Sequence, residues 1–203
     1  MGSELLKSEE LMEWESRKRA RFVNSLSGFK SANLVGTHHP ESGDNLSIVS
    51  SVVHLGSTPP MMGFVLRPPG EDSHTYKNIK STGVCTLSHV NEDIIEESHQ
   101  TSARYSRGCS EFDEVGLTPR MVSGWVAPCV EESKVKMGLS LIEDTELANG
   151  CRFMTCAVEW FEVESEGFCS DGYVDLHGLG GVSICLLYTS DAADDTPCVD
   201  LGG

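Results

Sequence analysis

Basic residues are scarce in this sequence: 15 Lys and Arg stand against 31 Asp and Glu, a formal net charge of −16. Such a chain repels nucleic acid and anionic membrane surfaces unless basic side chains cluster locally. The densest cluster, Arg17-Lys-Arg-Ala-Arg21, follows Glu9, Glu10, Glu13 and Glu15 and reads as part of one charged helix face. Long apolar runs are missing too, with none near the roughly 20 residues that span a bilayer. The start, Met1-Gly-Ser-Glu-Leu-Leu-Lys7, lacks the basic and apolar regions of a secretory leader. These absences lead us to expect a soluble, cytoplasmic protein with neither nucleic acid nor membrane as partner. The eight cysteines include no Cys-x-x-Cys pair and no zinc-knuckle spacing, so reduced thiols, mostly small core residues, are expected. His38-His39 sits in turn chemistry without a third ligand, and no metal site is assigned. Gly-x-Ser-x-Gly, His-Glu-x-x-His and Walker motifs are all absent, and no catalytic side chain is assigned.

What remains is a chain of 203 residues with 39% hydrophobic and 23% charged residues, values of a globular domain. Leu5, Leu6, Leu11, Met12 and Trp14 mark an apolar stripe, which predicts an N-terminal helix over 3–21. A domain over 22–184 follows. Residues 185–203 contain four Asp and no basic residue and resemble the chance translation of a sequencing adapter. They read as a non-native tail with few contacts, and the fold is argued from 1–184.

Strand texture begins near residue 30. Strands are predicted at Ser31–Thr37, Asn45–His54, Met61–Arg67, Val84–Val90, within Val130–Leu139, and at Arg152–Val163. Tyr76–Lys80 reads as a short helix capped by Thr75 and stopped by Gly83, and Asn91 can cap a helix over Asp93–Tyr105. Helices are inserted among strands rather than alternating with them. This favours a mainly β, antiparallel barrel with helical excursions over a doubly wound sheet.

Three polar patches stand out. Asn45-Leu-Ser-Ile-Val-Ser-Ser51 can offer side chains and edge amides to a heteroaromatic ring. Arg67 with Thr75 at a helix start suits an anion. His99 and Ser102, three apart, share a helix face, with Arg104 and Arg107 beyond. Each has a plainer reading, as a half-exposed strand, an ordinary cap and a solvated helix face.

Their order carries more than each alone. Asn-Leu-Ser-x-x-Ser-Ser (45–51) is followed by Pro-Pro-x-x-Gly-Phe-x-x-Arg-Pro (59–68) and Thr-x-x-Asn-Ile (75–79). Then come His-Gln-Thr-Ser-Ala-x-Tyr (99–105), Ser-Glu-Phe (110–112), Pro128-x-Val-x-Glu-Ser133 and Asp171-Gly-x-Val-Asp175. This succession resembles the flavin reductase-like family of the FMN-binding split β-barrel, over about residues 20–184. Two departures are visible: Gly28-Phe-Lys-Ser31 stands in place of a Pro-Arg-Pro-like stretch, and Ser88-His89 in place of Asn-His.

The resemblance implies an antiparallel split β-barrel with inserted helices, a homodimer, FMN as cofactor and NADH or NADPH as hydride donor. It implies cofactor contacts from Asn45, Leu46, Ser47, Val49, Ser50 and Ser51 along the ring. Arg67, Thr75, Asn78, His99 and Ser102 would lie at the ribityl-phosphate end or its rim. An NAD(P)H-dependent flavin reductase is the expected function, with a monooxygenase or other redox protein as possible recipient. The alternatives are an FMN electron carrier without nicotinamide activity and a non-catalytic barrel used for interaction.

Overall fold

The computed structural model describes residues 5–71, 73–106 and 108–184, and the backbone of 199–200. Two short helices come first, α1 (Ser8–Met12) and α2 (Ser16–Ser25), where one helix over 3–21 was expected. The break falls at Glu13–Glu15. Glu15 is extended, and its carboxylate accepts the Arg17 and Lys18 amides at 3.0 and 3.2 Å, so it starts a second helix instead of continuing the first. Neither helix has a buried residue.

The strands follow as β1 (Lys30–Ser31), β2 (Asn33–His39), β3 (Gly43–Val49), β4 (Val53–Ser57) and β5 (Pro60–Leu66). Helix α3 (His74–Thr82) leads to β6 (Val84–His89), then α4 (Ile95–Gln100) and α5 (Glu111–Val115). The short β7 (Pro119–Arg120) and β8 (Cys129–Val130) precede the long hairpin β9 (Val135–Glu146) and β10 (Arg152–Val163). Last come β11 (Ser183–Ile184) and β12 (Val199–Asp200).

Seven strands form one antiparallel sheet in the order β3-β2-β6-β9-β10-β5-β4. The expected strand over 45–54 is two strands, and they occupy opposite edges of this sheet. Only residues 50–52 join them. Seven flat strands at about 4.8 Å spacing would hold their edges roughly 29 Å apart. From Val49 to Val53, across these three residues, the chain reaches no more than about 14 Å. The sheet must therefore curl until its edges meet. Ser51 marks the meeting point: its Oγ accepts the Val65 amide and donates to the Val65 carbonyl, both at 3.0 Å.

Curling leaves both faces of β2 covered. Val35 packs inside with Phe64, Ile79, Leu87, Leu139 and Met154. Its neighbour Leu34 points the other way, to Leu46, Ile94, Phe112, Val130 and Val182. Gly36 lies where the 128–130 segment crosses β2, and a Cβ there would stand 2.0 Å from the Pro128 carbonyl oxygen. Gly83 ends α3 as expected, at φ 74°, a conformation open to glycine at little cost.

Other boundaries moved. Helix α3 begins at His74, so Thr75 lies inside the helix rather than at its cap. Asn91 accepts the Asp93 amide as a cap, but of the helix expected over 93–105 only a 3-10 turn (Glu92–Ile94) and α4 form. Beyond β10, an isolated bridge pairs Phe168 with Val174. Cys85, Cys129 and Cys156 are buried, Cys109 is exposed, and all six described cysteines are free thiols. The expectation for the tail falls largely outside the described residues, yet Val199–Asp200 pairs with Ser183–Ile184, so that stretch does meet the domain.

One ion-paired cluster ties α3 to the β9–β10 hairpin. Arg152 Nε donates to Asp144 Oδ1 at 2.7 Å, Tyr76 Oη donates to Oδ2 at 2.9 Å, and Lys80 lies 3.1 Å from the same oxygen. The Arg152 hydrogen bond, against the cost of burial, holds the Asp144 carboxyl at about 2, below its usual 3.8. A depressed carboxyl stabilises the fold above its unfolded value and loses that contribution as pH falls through its folded value. Asp144→Asn should therefore lower stability by about 2 kcal/mol at pH 7. Urea unfolding should show the gap closing between pH 4 and pH 2; a gap independent of pH would contradict this.

Candidate functional site

A groove of about 710 Å³ opens where the curled sheet fails to close. This volume lies in the range of small-molecule sites, roughly 300–1,000 Å³. Strand β3 and residues 50–51 form one wall, the end of β5 and Arg67 another, and the first turn of α3 a third. The 101–106 loop, Glu111, Cys151 and the Asn24–Lys30 region close the rim.

Of the residues read from sequence, Asn45, Ser47, Val49, Ser50 and Ser51 line this groove, as do Arg67, Thr75 and Ser102. Leu46, Asn78 and His99 do not. Leu46 alternates onto the opposite face of β3 and is fully buried with Phe112 and Val130. Asn78 is buried on the inner side of α3, where its Nδ2 donates to Thr37 Oγ1 at 3.1 Å. His99 borders a small apolar hollow beneath β11 with Ser98, and its Nε2 is buried without a partner among the described residues. The expected His99–Ser102 face is lost because α4 ends at Gln100 and Ser102 turns back, its hydroxyl donating to the His99 carbonyl at 2.7 Å. Ser88 is also away from the groove, fully buried, its Oγ accepting the Val130 amide. Arg107 lies outside the described residues.

Thr75 changes role. Its Oγ1 accepts from Asn45 Nδ2 at 3.0 Å and shares a 2.8 Å hydrogen bond with Ser47 Oγ. The hydroxyl expected to meet an anion thus pins β3 to α3 at the groove floor. Cationic groups lie beside it in the same groove. Arg67 and Arg104 are exposed on the groove and have no hydrogen-bond or ion-pair partner among the described residues. The first turn of α3 also lines the groove, and no side chain caps it. Helix N-termini and guanidinium groups both favour anions. Lys30 adds a third cation on the rim, its Nζ donating to the Asn24 carbonyl at 2.8 Å and to Ser27 Oγ at 2.6 Å.

The free edge of β3 supplies the other half of the chemistry. Leu46 N–H points outward, donating to Glu111 Oε2 at 2.9 Å. In an antiparallel ladder, alternate residues point to the same side. Ile48, two residues on, therefore projects its amide and carbonyl from the same edge, and Ile48 lines the groove. A donor and an acceptor side by side match the imide-like edge of a planar heterocycle. Sequence reading missed Glu111, Lys30 and Cys151 as lining residues, while Arg104, noted beside Ser102, does reach the groove. Of the three missed, only Glu111 left a signal, inside the Ser-Glu-Phe segment that was noted without a role.

A groove that holds both an open strand edge and unpaired guanidiniums suits a flat ring bearing an anionic tail. Comparison with known families agrees: residues 27–188 match the flavin reductase like domain. The chain belongs to this family. The match reaches four residues past 184, into the stretch read as a tail. A crystal structure from Shewanella frigidimarina NCIMB 400, described as a flavin reductase with a split barrel domain, is 45% identical, with TM-score 0.87. The similarity covers 96% of this chain and 99% of that one. The split β-barrel fold is thus shared with this flavin reductase-like relative. Nitrilotriacetate monooxygenase component B from Bacillus cereus is 19% identical, with TM-score 0.80, over 93% of this chain and 95% of that one. An NADH:FAD oxidoreductase from Streptomyces globisporus is 13% identical, with TM-score 0.65, over 80% and 89%. No curated protein matches. Among the described residues no helix is long and apolar enough to cross a membrane, and no cluster of His, Cys, Asp and Glu could hold a metal ion.

Proposed function

We propose that this flavin reductase-like protein binds FMN in the groove and is an NADH- or NADPH-dependent flavin reductase. The observation that carries the reading is the groove's two-ended chemistry: a free donor–acceptor edge on β3 and uncommitted guanidiniums at Arg67 and Arg104. The residues present fit such a group. Ile48 main chain with Ser47, Ser50 and Ser51 would hold the ring edge; Arg67, Arg104 and the first turn of α3 would hold the phosphate. Bound flavin supplies the chemistry, accepting a hydride equivalent from the nicotinamide and passing electrons onward.

The chain's own contribution is position and electrostatics. Asn45, Thr75 and Ser47 lock β3 against α3, which keeps the ring wall and the phosphate wall at fixed separation. The Asp144 cluster holds α3 from behind through Tyr76, which itself lines the groove. Long-range charge opposes an anionic cofactor, since the chain is −16. Local cations must overcome it.

We read the protein as a homodimer in the cytoplasm. Val53 and Leu55 on the edge strand β4 and Phe161 on β10 are exposed apolar side chains that a second copy would cover. The similarity to a monooxygenase component supports a monooxygenase or other redox protein as the recipient of reduced flavin.

Anaerobic titration of the FMN-loaded protein with NADH or NADPH tests the reading. Bleaching of the flavin band by at least one of them is expected. A loaded protein that neither nucleotide bleaches would be a carrier, and a protein that takes up no flavin would be neither. For the phosphate, Arg67→Ala should weaken FMN about tenfold to a hundredfold, the range of a charge-assisted hydrogen bond. Riboflavin, without the phosphate, should bind both proteins almost equally. Equal weakening of riboflavin would make Arg67 a ring or structural contact.

A further inference from the structure

Glu111 is a buried acid in a groove that otherwise presents cations to its ligand. It is 7% exposed, begins α5, and lines the same groove as Arg67, Arg104 and Lys30. Its neighbour Phe112 is fully buried beside Leu46. Glu111 Oε2 takes the Leu46 amide at 2.9 Å, so one short helix grips β3 by both side chain and main chain. Burial pushes the Glu111 carboxyl above its usual range, while the Leu46 amide works against that shift.

Two consequences follow. First, β3 is an edge strand, and its outward amides are all candidates for a ligand or for another strand. With Leu46 N–H taken by Glu111, the open groups start at Ile48, which sets where along the strand a ring can dock. Secondly, an ionised carboxylate on the groove wall acts on whatever charge the ligand acquires. Two-electron reduction of a flavin by a nicotinamide transfers one hydride: oxidised flavin and NAD(P)H become the reduced flavin anion and NAD(P)+. The ring gains a negative charge that it did not carry before.

Resting on the proposed function, we propose that Glu111 is a positioning and selectivity residue. It fixes the docking edge of β3 through Leu46, and its negative charge makes the groove hold oxidised flavin more tightly than reduced flavin. Such a site loads oxidised flavin and releases the reduced form, the direction a supplier of reduced flavin needs. Arg67 and Arg104 hold the phosphate in both oxidation states, so they do not cancel this discrimination.

The test is a pair of binding titrations at pH 8, one with oxidised FMN in air and one with dithionite-reduced FMN under argon. Glu111→Gln keeps an oxygen for the Leu46 amide and removes the charge. It should bind oxidised FMN within about twofold of wild type and reduced FMN roughly fivefold more tightly, the effect of one charge at intermediate screening. Glu111→Ala removes the acceptor as well and should weaken oxidised FMN about tenfold, with Gln rescuing it. If Ala fails to fold by thermal melting, the Gln comparison alone decides. An unchanged ratio of oxidised to reduced affinity in Glu111→Gln overturns the selectivity role. Equal loss of oxidised FMN in Gln and Ala overturns the positioning role. A wild-type protein that binds no FMN at all overturns the proposed function itself, a result distinct from either.

Discussion

The connection across residues 50–52 is the constraint on which the rest of the molecule depends. It joins the two outermost strands of a seven-stranded sheet, and no flat sheet can satisfy it. Once the sheet curls, Ser51 can complete the pairing of Val65 with its hydroxyl instead of its main chain. The ladder between the edges stops there. The opening left beside it is the groove, walled by β3, β5 and α3. Fold and site thus have one cause: the same short link that bends the sheet also leaves it incomplete.

An incomplete barrel exposes main-chain groups, and those need partners. Part of the exposed edge of β3 is satisfied internally, with Glu111 on the Leu46 amide and Asn45 and Ser47 tied to Thr75. What is left over at Ile48 is what a ligand can use. The electrostatics follow the same division. The chain is strongly acidic, yet Arg67, Arg104 and Lys30 gather at one groove. Screening at physiological salt limits the opposing field to about 8 Å, so nearby cations outweigh a distant excess of carboxylates. The Asp144 cluster follows the opposite design: its charges are paired with each other and serve α3, not a ligand.

Strand positions were legible where alternation or β-branching was strong, as in Arg152–Val163, which appears with the expected bounds. Start and stop signals with a single physical cause were legible too, such as the Asn91 cap and the Gly83 stop. The break between Val49 and Val53 was not, because both sides share the same composition and only the three-dimensional closure separates them. Residues 13–15 deceived the helix reading in a similar way, since acidic residues suit a helix interior and an N-cap alike. At the site, sequence order brought Asn45, Ser47, Ser51 and Arg67 to one place, while Leu46 and Asn78 fell on core-facing sides that a motif cannot reveal. Lys30 and Cys151 reach the groove from distant segments, and no local pattern announces that.

The central claim is that the opening beside residues 50–52 is where flavin is held. Hydrogen–deuterium exchange with and without FMN tests it most directly. The account predicts slowed exchange at the amides of 48–51, 65–67 and 74–76, and unchanged exchange in α1 and at the β9–β10 turn over 147–150. Protection confined to other segments, or no protection at a saturating FMN concentration, would contradict it.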